Sequence, residues 1–213
     1  MPYAWLSAEK ALIFRITHID NVRWILQNGL HCRNGEQDPS FVTIGEPGII
    51  ERRHGRSVPV DPGGILSDYI PFYFTPFSPM AYRIKTGLGV TAVPSSHLVV
   101  LVASLRELAE KSDVRFLYTD RHAALERAEF HESLDELDCL DWPRLRNRDF
   151  KRDDDEPEKM ERYQAEALVH RHLPLDLLRG IACRRSKDAD RIGAMAAEAG
   201  ANVRVVVETR VYF

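Results

Sequence analysis

One acidic residue, Glu166, lies inside a run of residues that otherwise has the composition of a buried strand. The run is YQAEALV, at residues 163–169. Burial strips water from a carboxylate, so a buried acid is kept only where it is paired, hydrogen-bonded or chemically useful. The same letters also fit a helix, on which Glu166 would be a solvated or salt-bridged surface residue. As a strand residue, Glu166 needs a role.

The length and composition predict one globular domain. The chain has 213 residues, of which 44% are hydrophobic and 29% charged, which suits a single core spanning residues 1–213. No apolar run approaches the roughly 20 residues that a membrane helix needs. The first residues also lack a basic segment followed by an apolar one. We therefore expect a cytoplasmic protein that makes no membrane contact.

The charge balance limits how the chain could bind nucleic acid. A formal net charge of -3 argues against binding through bulk positive charge, but it leaves room for a local basic groove. Arginine clusters occur at 52–56 and at 144–152, and either could instead be solvated surface. The three cysteines, Cys32, Cys139 and Cys183, lack the spacing of a zinc site or a disulfide framework. We expect reduced thiols and no metal.

The pattern of apolar residues predicts more strands than helices. The continuous apolar run at 98–102 is typical of a central strand covered on both faces. Further strands are predicted at 12–16, 69–74, 116–119, 180–183, 202–208 and 209–213. Helices are predicted after residue 20, after Ser78, after Ser104 and after Ser186. Because strands and helices do not alternate regularly, an α+β fold is favoured over a doubly wound sheet.

Two segments lack a regular pattern. Residues 33–67 are rich in Gly, Pro and polar residues, and a loop of this length is usually functional or mobile, so it is a candidate lid over a ligand. Residues 130–161 are strongly charged and predict a solvated, partly mobile excursion. The common glycine-rich phosphate-binding motifs do not occur. A nucleotide would therefore have to be held in another way.

Six fragments occur in order along nearly the whole chain: FRITHIDN at 14–21, GL at 29–30, the arginine segment at 49–58, DYIPFYF at 68–74 with SPM at 78–80, TDRHA at 119–123, and QAE at 164–166. Together they resemble the DarT family of DNA ADP-ribosyltransferase toxins. The resemblance implies an ADP-ribosyltransferase fold, with a central, split, mostly antiparallel sheet flanked by helices. It implies NAD as substrate and transfer of ADP-ribose to a base of single-stranded DNA, most often thymine. It also implies a macrodomain antitoxin as partner.

The resemblance makes Glu166 the catalytic residue. Cleavage of the bond between nicotinamide and ribose generates an oxocarbenium-like centre, which a nearby carboxylate stabilises. The diphosphate of NAD suits a planar guanidinium better than a lysine. The candidates are Arg52, Arg53 and Arg56. We expect Arg53 to be required for catalysis and the other two to bind NAD.

Two histidines are further candidates for the NAD site. His18 follows Thr17 at the end of the first strand, where a neutral imidazole can hydrogen-bond ribose hydroxyls. We expect both residues to contact NAD, although a histidine at such a place is also common as a structural residue. By resemblance, His122 belongs to the active site as well.

An aromatic segment around residue 75 supplies groups that could stack on nicotinamide or on an unpaired base. Tyr73 and Met80 are the predicted contacts. Phe72 and Phe74 are expected in the hydrophobic core instead. Phe77 departs from the family pattern, in which several relatives have arginine.

The charged segment before Glu166 occupies the place where ADP-ribosyltransferases carry the loop that selects the acceptor. From it we predict DNA contacts, with arginines on phosphates and aromatic rings on bases. The residues are Arg144, Arg146, Arg148, Trp142 and Tyr163.

Two other functions remain open on the sequence alone. The chain could transfer ADP-ribose to RNA or to a protein side chain, because the residues predicted to bind NAD identify the reaction more clearly than the residues predicted to bind the acceptor. It could also be a catalytically silent module that binds NAD or nucleic acid, although the presence of Glu166 argues against this.

Overall fold

The computed structural model describes residues 3–213, and an eight-stranded sheet forms its centre. The strands are β1 Leu12–His18, β2 Leu30–His31, β3 Tyr69–Tyr73, β4 Leu98–Ser104, β5 Phe116–Thr119, β6 Phe130–His131, β7 Glu166–His170, β8 His172–Leu173, β9 Gly180–Cys183 and β10 Val205–Val207. The order in the main sheet is β10-β9-β4-β1-β3-β7-β5-β6, and β2 pairs with β8 separately. Among the strands within residues 3–213, β9 and β10 alone form a parallel pair. The predicted α+β fold with a mostly antiparallel sheet is confirmed.

The helices lie around this sheet. They are α1 Val22–Asn28, α2 Pro47–Gly55, α3 Pro79–Thr86, α4 Leu105–Ala109, α5 Trp142–Asn147, α6 Lys159–Arg162 and α7 Ser186–Glu198. The start of α3 is the predicted one: the Ser78 hydroxyl accepts a hydrogen bond from the Ala81 N–H at 3.2 Å, and Pro79 opens the helix. Among the described residues, no helix is long and apolar enough to span a bilayer.

The strand predicted from the continuous apolar run lies where it was expected. β4 is buried along most of its length, between β1 and β9. It pairs with β1 over seven positions, from Leu12 opposite Ser104 to His18 opposite Leu98. This pairing fixes the direction of β1, and therefore the side on which each residue of β1 points.

The sheet is split between β1 and β3. These two strands pair only at Phe14 and Tyr73, and they diverge beyond that point. Pro71 has no N–H to donate across the gap, and its carbonyl accepts a hydrogen bond of 2.8 Å from the Arg15 guanidinium. The gap opens a cavity in the middle of the sheet, as the family resemblance predicts.

Three sequence predictions need correction. The strand predicted at 209–213 is a 3₁₀ turn at Thr209–Val211. The Glu208 carboxylate caps this turn by accepting a hydrogen bond from the Arg210 N–H, and the Tyr212 hydroxyl donates to the buried Ala182 carbonyl. The predicted loop at 33–67 contains α2, which lacks any apolar periodicity because it buries no side chain. The charged excursion at 130–161 contains two short helices, anchored by buried residues such as Leu145.

Candidate active site

A cavity of about 370 Å³ occupies the split in the sheet. β1 supplies Arg15 and Thr17, β3 supplies Tyr73, and β7 supplies Glu166 at its first position. Further wall comes from α1, α3, the segment between β2 and β3, the loop after β5 and the residues just before β7. This volume lies in the range of small-molecule sites.

Glu166 is 1% exposed and is held by three groups. One oxygen, Oε2, accepts a hydrogen bond of 2.7 Å from the Arg53 guanidinium. The other, Oε1, accepts from the Ala123 N–H at 3.1 Å and lies 3.3 Å from Nδ1 of His122. The carboxylate is therefore fixed in one orientation, by α2 on one side and by the loop after β5 on the other.

Burial alone would raise the pKa of the Glu166 carboxyl. The Arg53 guanidinium, with smaller contributions from His122 and the Ala123 N–H, outweighs burial, so the pKa lies below its ordinary value of 4.5. Glu166 is consequently ionised at neutral pH, as a group that stabilises positive charge must be.

The lowered pKa predicts how stability depends on pH. A carboxylate with a lower pKa in the folded state stabilises that state above its unfolded pKa and loses this effect as pH falls through the folded pKa. We expect the stability difference between the wild type and Glu166→Gln to be constant from pH 7 to about pH 5 and to shrink below 4.5. Thermal unfolding across this pH range measures it. A difference that disappears above pH 5 would show that the folded pKa is raised.

The structure brings most of the predicted NAD contacts to one cavity. In addition to Glu166, the predicted residues that line it are Arg52, Arg53, Thr17, Tyr73, Met80 and His122. Tyr73 lies directly opposite Glu166 in the pairing of β3 with β7. Burial and the Glu166 charge raise the pKa of the Tyr73 hydroxyl, which therefore stays protonated and available as a donor.

Two predicted NAD contacts lie outside the cavity wall. Successive side chains of a strand point to opposite faces, so Thr17 faces the cavity whereas His18 points away from it. Nδ1 of His18 accepts from the Asp20 N–H at 3.3 Å, and its ring contacts His97. Arg56 donates instead to the carbonyl groups of Leu125 and Glu126. Neither side chain lines the cavity, so direct NAD contacts for His18 and Arg56 stay predictions.

The residues predicted to contact DNA do not line the cavity, and both aromatic residues among them are buried. Trp142 is 5% exposed and donates from its ring N–H to the Leu137 carbonyl. Tyr163 is completely buried and donates to the Phe77 carbonyl. Their rings pack in the core because the charged segment needs apolar anchors.

The three arginines of this segment are engaged within the protein. Arg144 forms ion pairs with carboxylates of neighbouring turns, which are Asp141, Asp149 and Glu156. Arg146 donates to the Trp142 carbonyl, and the Arg148 guanidinium lies 3.3 Å from the centre of the Phe77 ring. In this structure all three arginines therefore bind other parts of the protein. Their predicted contacts with DNA phosphates stay predictions.

The sequence analysis missed Arg15 and Gln164, which both line the cavity. Burial and the nearby Arg53 guanidinium lower the pKa of Arg15 to about 10, so it remains cationic at neutral pH. A charge between Phe14 and Ile16, inside an apolar strand, is the same signal that revealed Glu166. Gln164 lies in the QAE fragment, two residues before the buried acid, and received no role of its own.

No group of three or more His, Cys, Asp or Glu residues suited to hold a metal ion occurs within residues 3–213. The three cysteines are unpaired.

Solved structures share this fold over almost the entire chain. Thermus sp. 2.9 DarT in complex with ADP-ribosylated ssDNA is 31% identical, with a TM-score of 0.83 over 96% of this chain and 97% of that one. The same Thermus protein in complex with NAD+ gives a TM-score of 0.82 at 32% identity, over 96% and 98% of the two chains. This chain has the split antiparallel sheet with a glutamate at its central cavity, and it matches these solved structures over almost its whole length. Its fold is therefore that of an ADP-ribosyltransferase.

The sequence comparisons define the family. The family model described as "ssDNA thymidine ADP-ribosyltransferase, DarT" matches residues 14–213. A "DNA ADP-ribosyl transferase" of Escherichia coli O127:H6 (strain E2348/69 / EPEC) is 51% identical over 182 residues, which cover 84% of this chain and 83% of the relative. The chain belongs to the DarT family and is an NAD-dependent DNA ADP-ribosyltransferase, as the sequence predicted.

Proposed function

We propose that Glu166 is the catalytic carboxylate with which this chain transfers ADP-ribose from NAD+ to thymine in single-stranded DNA. The observation that carries this proposal is the buried, ionised Glu166 at the wall of a cavity, held by Arg53 and facing Tyr73 across the strands. A buried ion pair is often no more stabilising than apolar residues of the same volume, so its presence here favours a functional role over a structural one. The proposed use is the stabilisation of positive charge on the ribose.

The cavity suits NAD+ in charge and in available hydrogen-bond donors. Arg15, Arg52 and Arg53 line it and supply guanidinium groups for the two phosphates. Nη2 of Arg53 is buried, and among residues 3–213 it has no hydrogen-bond acceptor, which leaves its two N–H groups available to a ligand. The relative from Thermus sp. 2.9 has been solved with NAD+. We place NAD+ in the same cavity of this chain.

The reaction breaks the glycosidic bond of NAD+, and its electron pair leaves with nicotinamide. The Glu166 carboxylate stabilises the ribosyl cation that remains, because the two opposite charges interact strongly in a site with little water. A nitrogen of the base then forms the new bond and loses its proton. Glu166 and the His122 imidazole lie 3.3 Å apart, where either can accept that proton.

Gln164 is the group best placed to recognise the acceptor base. It lines the cavity two residues before Glu166, and Nε2 donates to the Met160 carbonyl at 3.0 Å. Its amide oxygen and remaining N–H offer one acceptor and one donor, which match the alternating imide N–H and carbonyl groups of thymine. We therefore assign base recognition to Gln164, and we no longer assign it to Trp142 or Tyr163.

A competition among acceptors tests the proposed function. The protein is incubated with labelled NAD+ and equal amounts of single-stranded DNA, RNA and unrelated protein. We expect label on the DNA at thymine, because the base must reach a carboxylate that lies within a cavity and an unpaired base can do so. Label mainly on RNA or protein would favour the alternative transferase. The absence of label on every acceptor would favour a silent binding module.

Three further assignments belong to the same proposal. We assign residues 1–213 to one catalytic domain, since strands from the start and the end of the chain join one sheet. A macrodomain antitoxin is the expected partner, because family membership implies a protein that removes the mark. The cytoplasm is the expected location, because the reaction needs NAD+ and DNA together.

A further inference from the structure

One segment covers the cavity although none of its residues is fully buried. From residue 33 to residue 57, every side chain is exposed or half-buried, and we call these residues the cover segment. The segment includes α2, which carries Arg53. Of its apolar residues, Ile44 packs partly against the core. Hydrophobic burial therefore holds the cover segment only weakly, so its position depends on polar contacts.

A buried amide, that of Asn21, holds the middle of the cover segment. Nδ2 of Asn21 donates to the Val42 carbonyl at 3.0 Å, and Oδ1 accepts from the Val42 N–H at 2.8 Å. Nδ2 also donates to the Thr17 hydroxyl at 3.0 Å. Since Val42 offers one donor and one acceptor, only one orientation of the amide satisfies both. Asn21 is 1% exposed, so water does not compete for these bonds.

Further attachments of the cover segment lie on either side of Val42. Before it, the side chain of Asn34 donates to the Asp68 carboxylate at 2.8 Å. After it, Glu46 pairs with Arg83 of α3. α2 and the residue after it are attached independently, through Arg53 to Glu166, through His54 to Ser67 and through Arg56 to the carbonyl groups of the loop after β5. The stretch at 38–46 is thus fixed at its centre by Asn21, and it forms cavity wall through Asp38, Phe41, Thr43, Ile44, Gly45 and Glu46.

We infer that Asn21 is a positioning residue for NAD+ binding. Its amide holds the backbone of Val42, and Val42 in turn keeps the cavity wall at 38–46 in the position that binds the substrate. Thr17 also lines the cavity, and its hydroxyl accepts a hydrogen bond from the same Asn21 amide. Asn21 therefore connects the wall formed by β1 to the wall formed by residues 38–46. The groups of the chemical step, Glu166 and Arg53, keep their own contacts. This inference rests on the proposed function, and it predicts an effect on substrate binding without one on the chemical step.

Kinetics of two variants test the inference. Asn21→Ala removes both bonds to Val42, and Val42→Pro removes the N–H from the half-buried partner, which is not a core residue. We expect the KM for NAD+ to rise about tenfold in Asn21→Ala, with kcat within about threefold of the wild type. Because both changes break the same link, the double variant should be no worse than Asn21→Ala alone.

A matched control is available at the opposite end of α1, since Asn21 directly precedes this helix and Asn28 ends it. The side chain of Asn28 donates to the Trp24 carbonyl, within the helix, at 3.0 Å. We expect Asn28→Ala to leave the KM for NAD+ unchanged, and we expect hydrogen exchange of amides 38–46 to be faster in Asn21→Ala than in this control. An unchanged KM in folded Asn21→Ala, or a fall in kcat alone, would overturn the inference. Wild-type activity, measured in parallel, reports separately on the proposed function.

Discussion

Replacing Glu166 with glutamine is expected to lower the rate of ADP-ribose transfer by about 10²–10³-fold. Glutamine keeps the shape of the side chain and can still accept from the Ala123 N–H, but it carries no charge to stabilise the ribosyl cation. Binding of NAD+ should change much less, because the arginines around the cavity remain. Single-turnover rates and NAD+ titrations measure the two effects separately.

The same substitution at Glu198 serves as a control. Glu198 is exposed and pairs with Arg23 at 2.6 Å on the surface, and neither residue lines the cavity. We expect Glu198→Gln to transfer ADP-ribose at the wild-type rate. If Glu166→Gln were equally active, the carboxylate would be structural, and the proposed mechanism would be wrong.

Replacing Arg53 with methionine should have a second large effect, on activity and on stability together. It leaves the buried Glu166 carboxylate without its strongest partner, and removal of one member of a buried pair costs about 3–5 kcal/mol. The pKa of Glu166 should then rise, because burial is opposed only by His122 and the Ala123 N–H. We expect urea unfolding to show the loss of stability, and transfer to fall by about 10²-fold.

The double variant Arg53→Met with Glu166→Gln separates the two effects. It removes both charges, so part of the stability should return while activity stays low. The exposed pair of Arg23 and Glu198 provides the comparison, because Arg23→Met should cost less than about 1 kcal/mol. Equal costs for Arg53→Met and Arg23→Met would show that the buried pair is not the anchor of the site.

The sequence revealed the parts of the site that follow from burial of charge. A carboxylate in an apolar strand is unusual enough to identify Glu166, and the order of the family fragments was sufficient to add Arg53, Tyr73 and His122. Arg15 carried the same signal in β1, but it was not recognised. The alternation of β1 also shows why Thr17 faces the cavity and His18 does not, a distinction that needs the exact register with β4.

The sequence could not reveal the features that depend on polar contacts between distant segments. α2 carries Arg53, but it has no apolar face. The periodicity of apolar residues therefore could not predict this helix. Trp142 and Tyr163 were assigned to DNA because their neighbours are charged, whereas the fold uses these rings as core anchors. The link between Asn21 and Val42 joins a buried amide to a backbone 21 residues away, and no sequence pattern marks it.

Mass spectrometry of one oligonucleotide tests the central claim most directly. A single-stranded oligonucleotide with one thymine is incubated with NAD+ and either the wild type or Glu166→Gln, and the product is fragmented. We predict a mass gain of one ADP-ribose on the thymine with the wild type, and none with Glu166→Gln over the same time. The same gain with both proteins, or a gain on another base, would contradict the account.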